Sequence, residues 1–255
     1  MRRSIGFVAA LCFTVAATVA SAADAPPLKI AATLGVQGAF KDIEPMLVAR
    51  SGIPVNSQFL ATVPLVEKLL KGEPADLVIL TKAAIEDLAA KGRVVPGSQV
   101  DLVVSQVALA VADGAPIPPM KTKEDFIALI KSTPSLAHSA QGGSGIHIAK
   151  LIKDLGLSEI AGPKTTVVPE GFTGTLLLNG KVAVAFQQVS ELRASGAKNI
   201  VPLPDALQAR LIFTAAVMTD TKRAKDAEAI VKLLTSADAS AAYKRSGLEP
   251  VFKAK

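Results

Sequence analysis

Short apolar runs alternate with segments of helical periodicity along most of this chain, and that alternation limits the folds open to it. The runs "PLKIAATL" and "ADLVIL" are typical of buried strands, and "TVPLVEKLLKG" between them is typical of a helix with Thr62 as its N-cap. Alternating β and α units favour parallel strands covered by helices on both faces. The sequence therefore predicts an α/β fold with doubly wound sheets.

The alternation continues to the end of the chain. "DLVVSQVALAVADG" predicts one or two long strands, and "SLAHSA", "TTVVPE", "VAVAFQQ" and "ARLIFTAAVM" predict further ones. Helices are predicted at 82–91, at "KEDFIALIK" with Thr122 as N-cap, at 144–155, at 173–178 and in the last thirty or so residues. Pro45 falls where the first helix should run, so that helix is expected to kink or to begin late.

Residues 1–22 have the features of a secretory signal peptide. Two arginines precede an apolar run at 5–19, and small residues follow at 20–22. Cys12 is the only cysteine and lies inside this segment, so the exported chain has no thiol for a disulfide. These features predict a protein of the bacterial periplasm.

Charge and composition exclude several classes of function. The formal charge is +6, and removing Arg2 and Arg3 with the signal leaves +4, a mild attraction for anions. Nucleic-acid binding is disfavoured because the lysines are scattered, Trp is absent and Tyr243 is the only tyrosine. With only two histidines and no exported cysteine, we expect no metal site and no cofactor.

The stretch "HSAQGGSGIHIAKLI" at 138–152 joins a predicted strand to a predicted helix. It lacks the lysine and hydroxyl of a phosphate-binding P-loop, the last glycine of a nucleophile elbow and the third glycine of a dinucleotide fingerprint. What remains is the first turn of a helix, whose free N–H groups and dipole suit an anion. Ser144 either caps its own helix or contacts such an anion.

Similar strand-to-helix turns recur, and in open parallel sheets they gather at the carboxyl edge, where ligands bind. Gln187 and Gln188 add neutral hydrogen-bonding groups at the end of "VAVAFQQ", where apolar residues would be expected. His147 and Glu170 are each either structural or exposed groups, or proton-transfer groups beside the anion. The predicted ligand-binding residues are Gly35, Gln37, Thr62, Ser144, Thr173, Gln187 and Gln188.

Several segments together resemble the type 2 periplasmic solute-binding proteins of ABC importers, in particular the molybdate-binding group. They are "AATLGVQGAFKDI", "ATVPLVEKLLKGEPADLVIL", "KGRVVPGS", "GIHIAKLIKDLG", "GKVAVAFQQVSEL" and "AAYKRSGLEPV". The resemblance covers nearly the whole chain after the signal. It implies two lobes around a hinge and a central cleft, lobe I being 23–108 with 213–255 and lobe II being 109–212.

The resemblance also implies a site and a role. The two serines of the molybdate site would fall near Gly35 and Thr62, backbone contacts near Ser144 and Glu170, and the tyrosine at Gln188. Because a hydroxyl and the tyrosine are then missing, an organic acid anion is favoured over molybdate. The expected partners are that anion and an ABC permease in the inner membrane, and the protein is expected to be a monomer that binds no nucleic acid.

An enzymatic alternative remains open at this point. The aconitate isomerases are similar in overall plan to these binding proteins, and they move a proton across an allylic polycarboxylate. Such a reaction needs an acid–base group within reach of a C–H bond. In that case Glu170 and His147 are the predicted catalytic residues.

Overall fold

The computed structural model describes residues 26–253, so the predicted signal peptide lies outside the described residues. The strands are β1 (Leu28–Thr33), β2 (Val55–Leu60), β3 (Leu77–Thr81), β4 (Val100–Val111), β5 (Leu136–Ser139), β6 (Thr165–Val168), β7 (Val184–Gln188), β8 (Asn199–Pro202), β9 (Arg210–Val217) and β10 (Glu249–Pro250). The helices are α1 (Leu34–Ser51), α2 (Thr62–Leu70), α3 (Lys82–Ala90), α4 (Lys123–Ser132), α5 (Gly143–Asp154), α6 (Ser158–Ala161), α7 (Thr173–Leu178), α8 (Val189–Ser195), α9 (Ala224–Leu234) and α10 (Ala237–Arg245).

The strands form one continuous, mixed sheet in the order β2-β1-β3-β9-β4-β7-β5-β6. At one end β2, β1 and β3 are parallel, and at the other end β7, β5 and β6 are parallel. Between these ends, β9 and β4 run antiparallel to their neighbours. The predicted parallel α/β units are therefore present at both ends, joined by two antiparallel strands.

Strand β4 belongs to both ends of the sheet. Its first part, Val100–Gln106, pairs with β9, and its last part, Val107–Val111, pairs with β7. The segment for which the sequence predicts one or two strands is therefore a single strand. Because one chain segment hydrogen-bonds to both ends, the two lobes are connected through the sheet itself. The residue boundaries of the lobes, 108/109 and 212/213, stay a prediction.

Each end of the sheet has apolar clusters on both faces. In the first lobe, one cluster joins β1, α1, α9 and α10, and the other joins β3, α2 and α3. In the second lobe, one cluster joins β5, α4 and α5, and the other joins β7, α7 and α8. Helices therefore cover both faces of both ends. None of the helices within residues 26–253 combines the length and the apolar character that a membrane span requires.

Helix α1 runs unbroken through Pro45 for 18 residues, so the expected late start is wrong. Proline removes one backbone N–H and with it the hydrogen bond to the carbonyl of Lys41. Both residues are exposed, so that carbonyl can be hydrated. The opposite face buries Val36, Phe40 and Ile43, and this packing offsets the lost bond.

Three predicted helix starts hold, that of α3 at Lys82 among them, and two differ. Thr122 caps α4 by accepting a hydrogen bond from the Asp125 amide, and α7 begins at Thr173 as predicted. Thr62 is the first residue of α2 rather than its cap, which is Ala61. Ser144 likewise lies within the first turn of α5, because that helix begins at Gly143. The Thr62 and Ser144 hydroxyls are therefore not engaged as N-caps.

The glycine-rich turn before α5 is explained by close packing against Ser139. A Cβ atom at Gly145 would lie 1.8 Å from the Ser139 carbonyl oxygen and 2.4 Å from its Oγ. Only glycine allows this approach, which brings the start of α5 against the end of β5. The turn is a tight strand-to-helix junction, consistent with its failure to match a P-loop or a nucleophile elbow.

We expect Gly145→Ala to destabilise the protein by about 3 kcal/mol or more, since backbone atoms would have to move. The matched control is Gly162→Ala, because nothing lies within 4 Å of a Cβ at Gly162 and its φ is negative. That change should alter stability by less than about 1 kcal/mol. Urea denaturation of both variants measures the difference, and equal stabilities would contradict the packing argument.

Candidate functional site

Two threonine hydroxyls meet where β1 and β2 end in the first lobe. Thr33 is the last residue of β1 and is buried, and Thr62 opens α2. Their Oγ1 atoms lie 3.4 Å apart, at the limit of a hydrogen bond. Thr33 is not among the residues predicted from the sequence, because it reads there only as the end of a strand. It supplies a hydroxyl two residues before Gly35.

Gly35 has no room for a side chain. A Cβ atom there would lie 2.5 Å from Phe213 Cζ and 3.2 Å from Gln188 Oε1. This explains why no hydroxyl can stand at position 35, and it places Gln188 of β7 directly beside the start of α1. The Gln188 side chain is buried, and its Oε1 atom faces the Glu191 N–H in a capping box without forming a hydrogen bond of good geometry to any described residue.

Ser144 brings a hydroxyl from the second lobe. Its side chain is fully buried in the first turn of α5, and its Oγ meets no partner at hydrogen-bonding distance and angle within residues 26–253. The same loop touches the first lobe, because the Val63 N–H points to the Gln141 carbonyl at 3.5 Å. The first turn of α2 and the loop before α5 therefore touch where the two lobes meet, and we call this region the cleft.

Thr173 and Gln187 are engaged with each other rather than free. Gln187 Oε1 accepts hydrogen bonds from the Thr173 N–H at 2.8 Å and from its hydroxyl at 3.0 Å. The Gln187 amide nitrogen donates to the Gly171 carbonyl at 3.3 Å. These contacts fasten the loop before α7 to the end of β7. Both are predicted ligand-binding residues, and in the structure they hydrogen-bond to each other.

Glu191 is the charged residue that the sequence prediction did not include. It lies in the first turn of α8 and is 4 % exposed, and its Oε2 accepts the backbone N–H of Gln188 at 3.2 Å. That bond is one half of a capping box, so the spacing Gln188-x-x-Glu191 was the available sequence signal. We call Thr33, Thr62, Ser144, Gln188 and Glu191 the cleft cluster.

Burial raises the pKa of Glu191 to about 7, because the charged form loses its hydration. The backbone N–H of Gln188 and the nearby side chains of Gln187 and Ser144 act in the opposite direction but do not cancel this effect. The Ser144 hydroxyl lies close enough to the Glu191 carboxyl to favour its charged form. The geometry between the two groups is not that of a well-formed hydrogen bond.

The other predicted residues lie outside the cleft cluster. Glu170 is exposed, and its side chain bonds to none of the described residues. His147 is tied down by a 2.7 Å contact between its Nε2 and the Leu207 carbonyl. Gln37 is half-buried in α1, and its Oε1 is enclosed without a partner among residues 26–253.

Two open cavities in the surface lie elsewhere. One of about 350 Å³ is bordered by Val95, Val100 and Glu228, and one of about 410 Å³ by Arg93 and Arg223. Neither contains a residue of the cleft cluster. Within the described residues, no three His, Cys, Asp or Glu side chains are grouped so that they could hold a metal ion.

Comparison with known proteins agrees with this architecture. The model of the family of bacterial extracellular solute-binding proteins matches residues 28–249. An aconitate isomerase from Pseudomonas sp is 29% identical over 234 residues, which are 88% of each chain. Two solved structures share the fold at 16% identity. They are the periplasmic molybdate-binding protein of Azotobacter vinelandii, with a TM-score of 0.74 over 89% of this chain and 99% of that one, and the sulfate-binding protein SubI of Mycobacterium tuberculosis H37Rv, with 0.72 over 88% and 87%.

Two lobes, a shared crossing strand and polar groups gathered between the lobes define a type 2 periplasmic-binding-protein fold. The chain belongs to the family of bacterial extracellular solute-binding proteins. Members of this kind are the substrate-binding components of ABC-type importers, which supports the predicted periplasmic location.

The burial of Glu191 predicts a dependence of stability on pH. An unfolded glutamate titrates near 4.5 and the folded one near about 7, so between these values the folded protein keeps a proton that the unfolded chain has lost. This contribution to stability is complete below 4.5 and disappears as the pH rises through about 7. The free energy of unfolding should fall by roughly 3 kcal/mol across this window.

Urea denaturation of the protein and of Glu191→Gln at about pH 5 and about pH 8 isolates this contribution. The variant should lack that part of the pH dependence. An identical pH dependence in the two proteins would show that the carboxyl is not held in its neutral form.

Proposed function

We propose that this protein binds a small anion between its lobes, an organic acid rather than molybdate. The observation that carries the proposal is the cleft cluster, in which buried hydrogen-bonding atoms of the second lobe make no well-formed hydrogen bond with any of the described residues. Ser144 Oγ and Gln188 Oε1 are such atoms. An unpaired buried polar atom costs about 1–3 kcal/mol, so a bound molecule that pairs with these atoms recovers that cost.

Helix geometry supports an anionic ligand. Helices α1, α2 and α5 begin within four residues of the ends of β1, β2 and β5. Thr33 precedes the first turn of α1, and Thr62 and Ser144 lie in the first turns of α2 and α5. The N–H groups of a first turn have no partner inside the helix, and the helix dipole adds partial positive charge there. Three such ends directed at one cleft make an anion site without a basic side chain.

The side chains favour an organic acid. Gln188 stands where the resemblance to the molybdate-binding proteins places a tyrosine hydroxyl, and Glu191 lies beside it. An amide carbonyl accepts a hydrogen bond, so it suits a ligand that carries its own hydroxyl or a protonated carboxyl. A fully ionised oxyanion such as molybdate has no donor for the Gln188 oxygen. We also propose that the protein acts as a monomer and delivers its ligand to a permease in the inner membrane.

Loss of the hydroxyl of Thr62 or Ser144 should weaken ligand binding. Each hydrogen bond to a charged group contributes about 1.5–3 kcal/mol, so Thr62→Val and Ser144→Ala should each weaken binding by about 10- to 100-fold. Thr175→Val is the control, since Thr175 is exposed on α7. The measurement is isothermal titration after a thermal-shift screen with molybdate, sulfate, fumarate, citrate and both aconitates.

The screen itself tests the ligand class. A ligand present at about 100 times its dissociation constant adds about 2.7 kcal/mol of stability, which is readily seen as a shift in Tm. A shift with carboxylates supports the proposal. A shift with molybdate alone would overturn the organic-acid assignment, and affinities unchanged in both variants would overturn the assigned residues.

A second candidate function is the interconversion of cis- and trans-aconitate. The 29% identical aconitate isomerase favours it, and so does a buried carboxyl in the cleft. The reaction needs a group that removes a proton from one carbon and returns it to another. Glu170 is exposed and His147 is bonded to Leu207, so Glu191 is the group that we propose for this step.

Proton NMR of cis-aconitate with the purified protein tests the second candidate. Signals of trans-aconitate should appear, and Glu191→Gln should slow their appearance by about 10²- to 10⁴-fold, the usual contribution of an acid–base group. Glu170→Gln serves as the comparison and should convert aconitate like the parent protein. If cis-aconitate stays unchanged with the parent protein, the isomerase candidate is wrong and the binding function still stands.

A further inference from the structure

Glu191 is a buried carboxyl whose charge is compensated by no basic side chain within residues 26–253. The groups that act on its charge are its own burial, the backbone of Gln188 and the neutral side chains of Gln187 and Ser144. A buried carboxylate without a cation is costly, and such groups usually either pair with a base or bind a proton. Here the described surroundings provide no base.

The elements packed against α8 carry charged residues, but these face solvent or one another. The helix α7 and the strands β7 and β8 contain no titratable residue. On β4, Asp101 pairs with Lys82. On α1, Asp42 pairs with Arg245 and Arg50 with Asp238, Lys41 is exposed, and Glu44 borders an open cavity in the surface. On α5, Lys150 pairs with Asp154, Lys153 is exposed and His147 bonds to Leu207, while Arg193 of α8 donates to the Arg245 carbonyl.

The carboxyl lies beside the place where the anion is proposed to bind. Ser144 connects it to the first turn of α5, and Gln188 connects it to the first turn of α1 through Gly35. An anion held by these first turns would therefore stand close to Glu191 in a water-poor cleft. Two negative charges so placed repel strongly, and the repulsion is relieved when one of them takes a proton.

We propose that Glu191 is protonated whenever an anion occupies the cleft, so that ligand binding takes up one proton. The inference rests on the proposed anion-binding function and not on the isomerase candidate, in which Glu191 has to be ionised to accept a proton from carbon. The proton comes from solvent, and the O–H group then donates a hydrogen bond to the ligand. Glu191 thus becomes a donor for an oxygen of the ligand, in a site whose other donors are hydroxyls and backbone N–H groups.

The test is isothermal titration of the full chain with citrate, fumarate, sulfate and molybdate at about pH 8, in two buffers with different heats of ionisation. The difference in heat gives the number of protons taken up. We expect nearly one proton per anion for the parent protein, and an affinity that falls about tenfold for each unit of pH above about 8.

Glu191→Gln should take up one proton fewer than the parent protein, and subtraction of the two cancels protons bound by the ligand itself. Glu159→Gln, an exposed glutamate of α6, should behave like the parent protein. If Glu191→Gln does not fold, the heats and pH profile of the parent protein with sulfate decide alone. Binding with no proton uptake would overturn this inference and leave anion binding intact, whereas failure of these four anions and of both aconitates to bind would overturn the proposed function and this inference together.

Discussion

The architecture depends on the continuous pairing of β4 with both halves of the sheet. One strand contributes hydrogen bonds to β9 over Val100–Gln106 and to β7 over Val107–Val111. Through this pairing the end of β7 comes next to the start of α1, and the short helix α8 packs against α1. The neighbourhood of Gln188, Gly35 and Glu191 follows from it, so the site is a product of the crossing strands.

The chemistry of the cleft follows from what surrounds its charges. The molybdate- and sulfate-binding proteins that share this fold are named for anions, and in the site proposed here helix starts rather than Lys or Arg side chains supply the positive end. Helix starts attract an anion weakly at exposed positions and more strongly where water is excluded. The same exclusion of water disfavours the ionised form of Glu191. In the proposed site, the exclusion of water therefore favours both a bound anion and the neutral form of the Glu191 carboxyl.

The fold was predictable from the sequence where long apolar patterns exist. The alternating strands and helices, the cap at Thr122 and the start of α7 at Thr173 follow from local patterns. Strand β2 was not predicted, because it lies at the sheet edge and carries polar residues. Helix α8 was not predicted, because seven residues give little periodicity and tertiary packing stabilises them.

The site was predictable only in part. Strand-to-helix turns and polar residues at a strand end led to Thr62, Ser144 and Gln188. Burial of a single carboxyl is a tertiary property, however, so Glu191 has no distinct sequence pattern beyond its capping-box spacing. The pairing of Gln187 with Thr173 is likewise invisible before the chain is folded, since 14 residues separate them.

Strand β4 also determines how the lobes can move. Its pairing changes from β9 to β7 between Gln106 and Val107, so this is where twisting breaks the fewest hydrogen bonds. Opening about this point displaces distant groups most, which separates Thr62 from Ser144. Gln188 pairs with Val107 and Phe213 with Val103, so both lie next to this point and would move least in such an opening. In the open form, the groups beside β4 would stay together while the first turns of α2 and α5 are apart. A ligand would then contact Gln188 and its neighbours first, before α2 and α5 close around it.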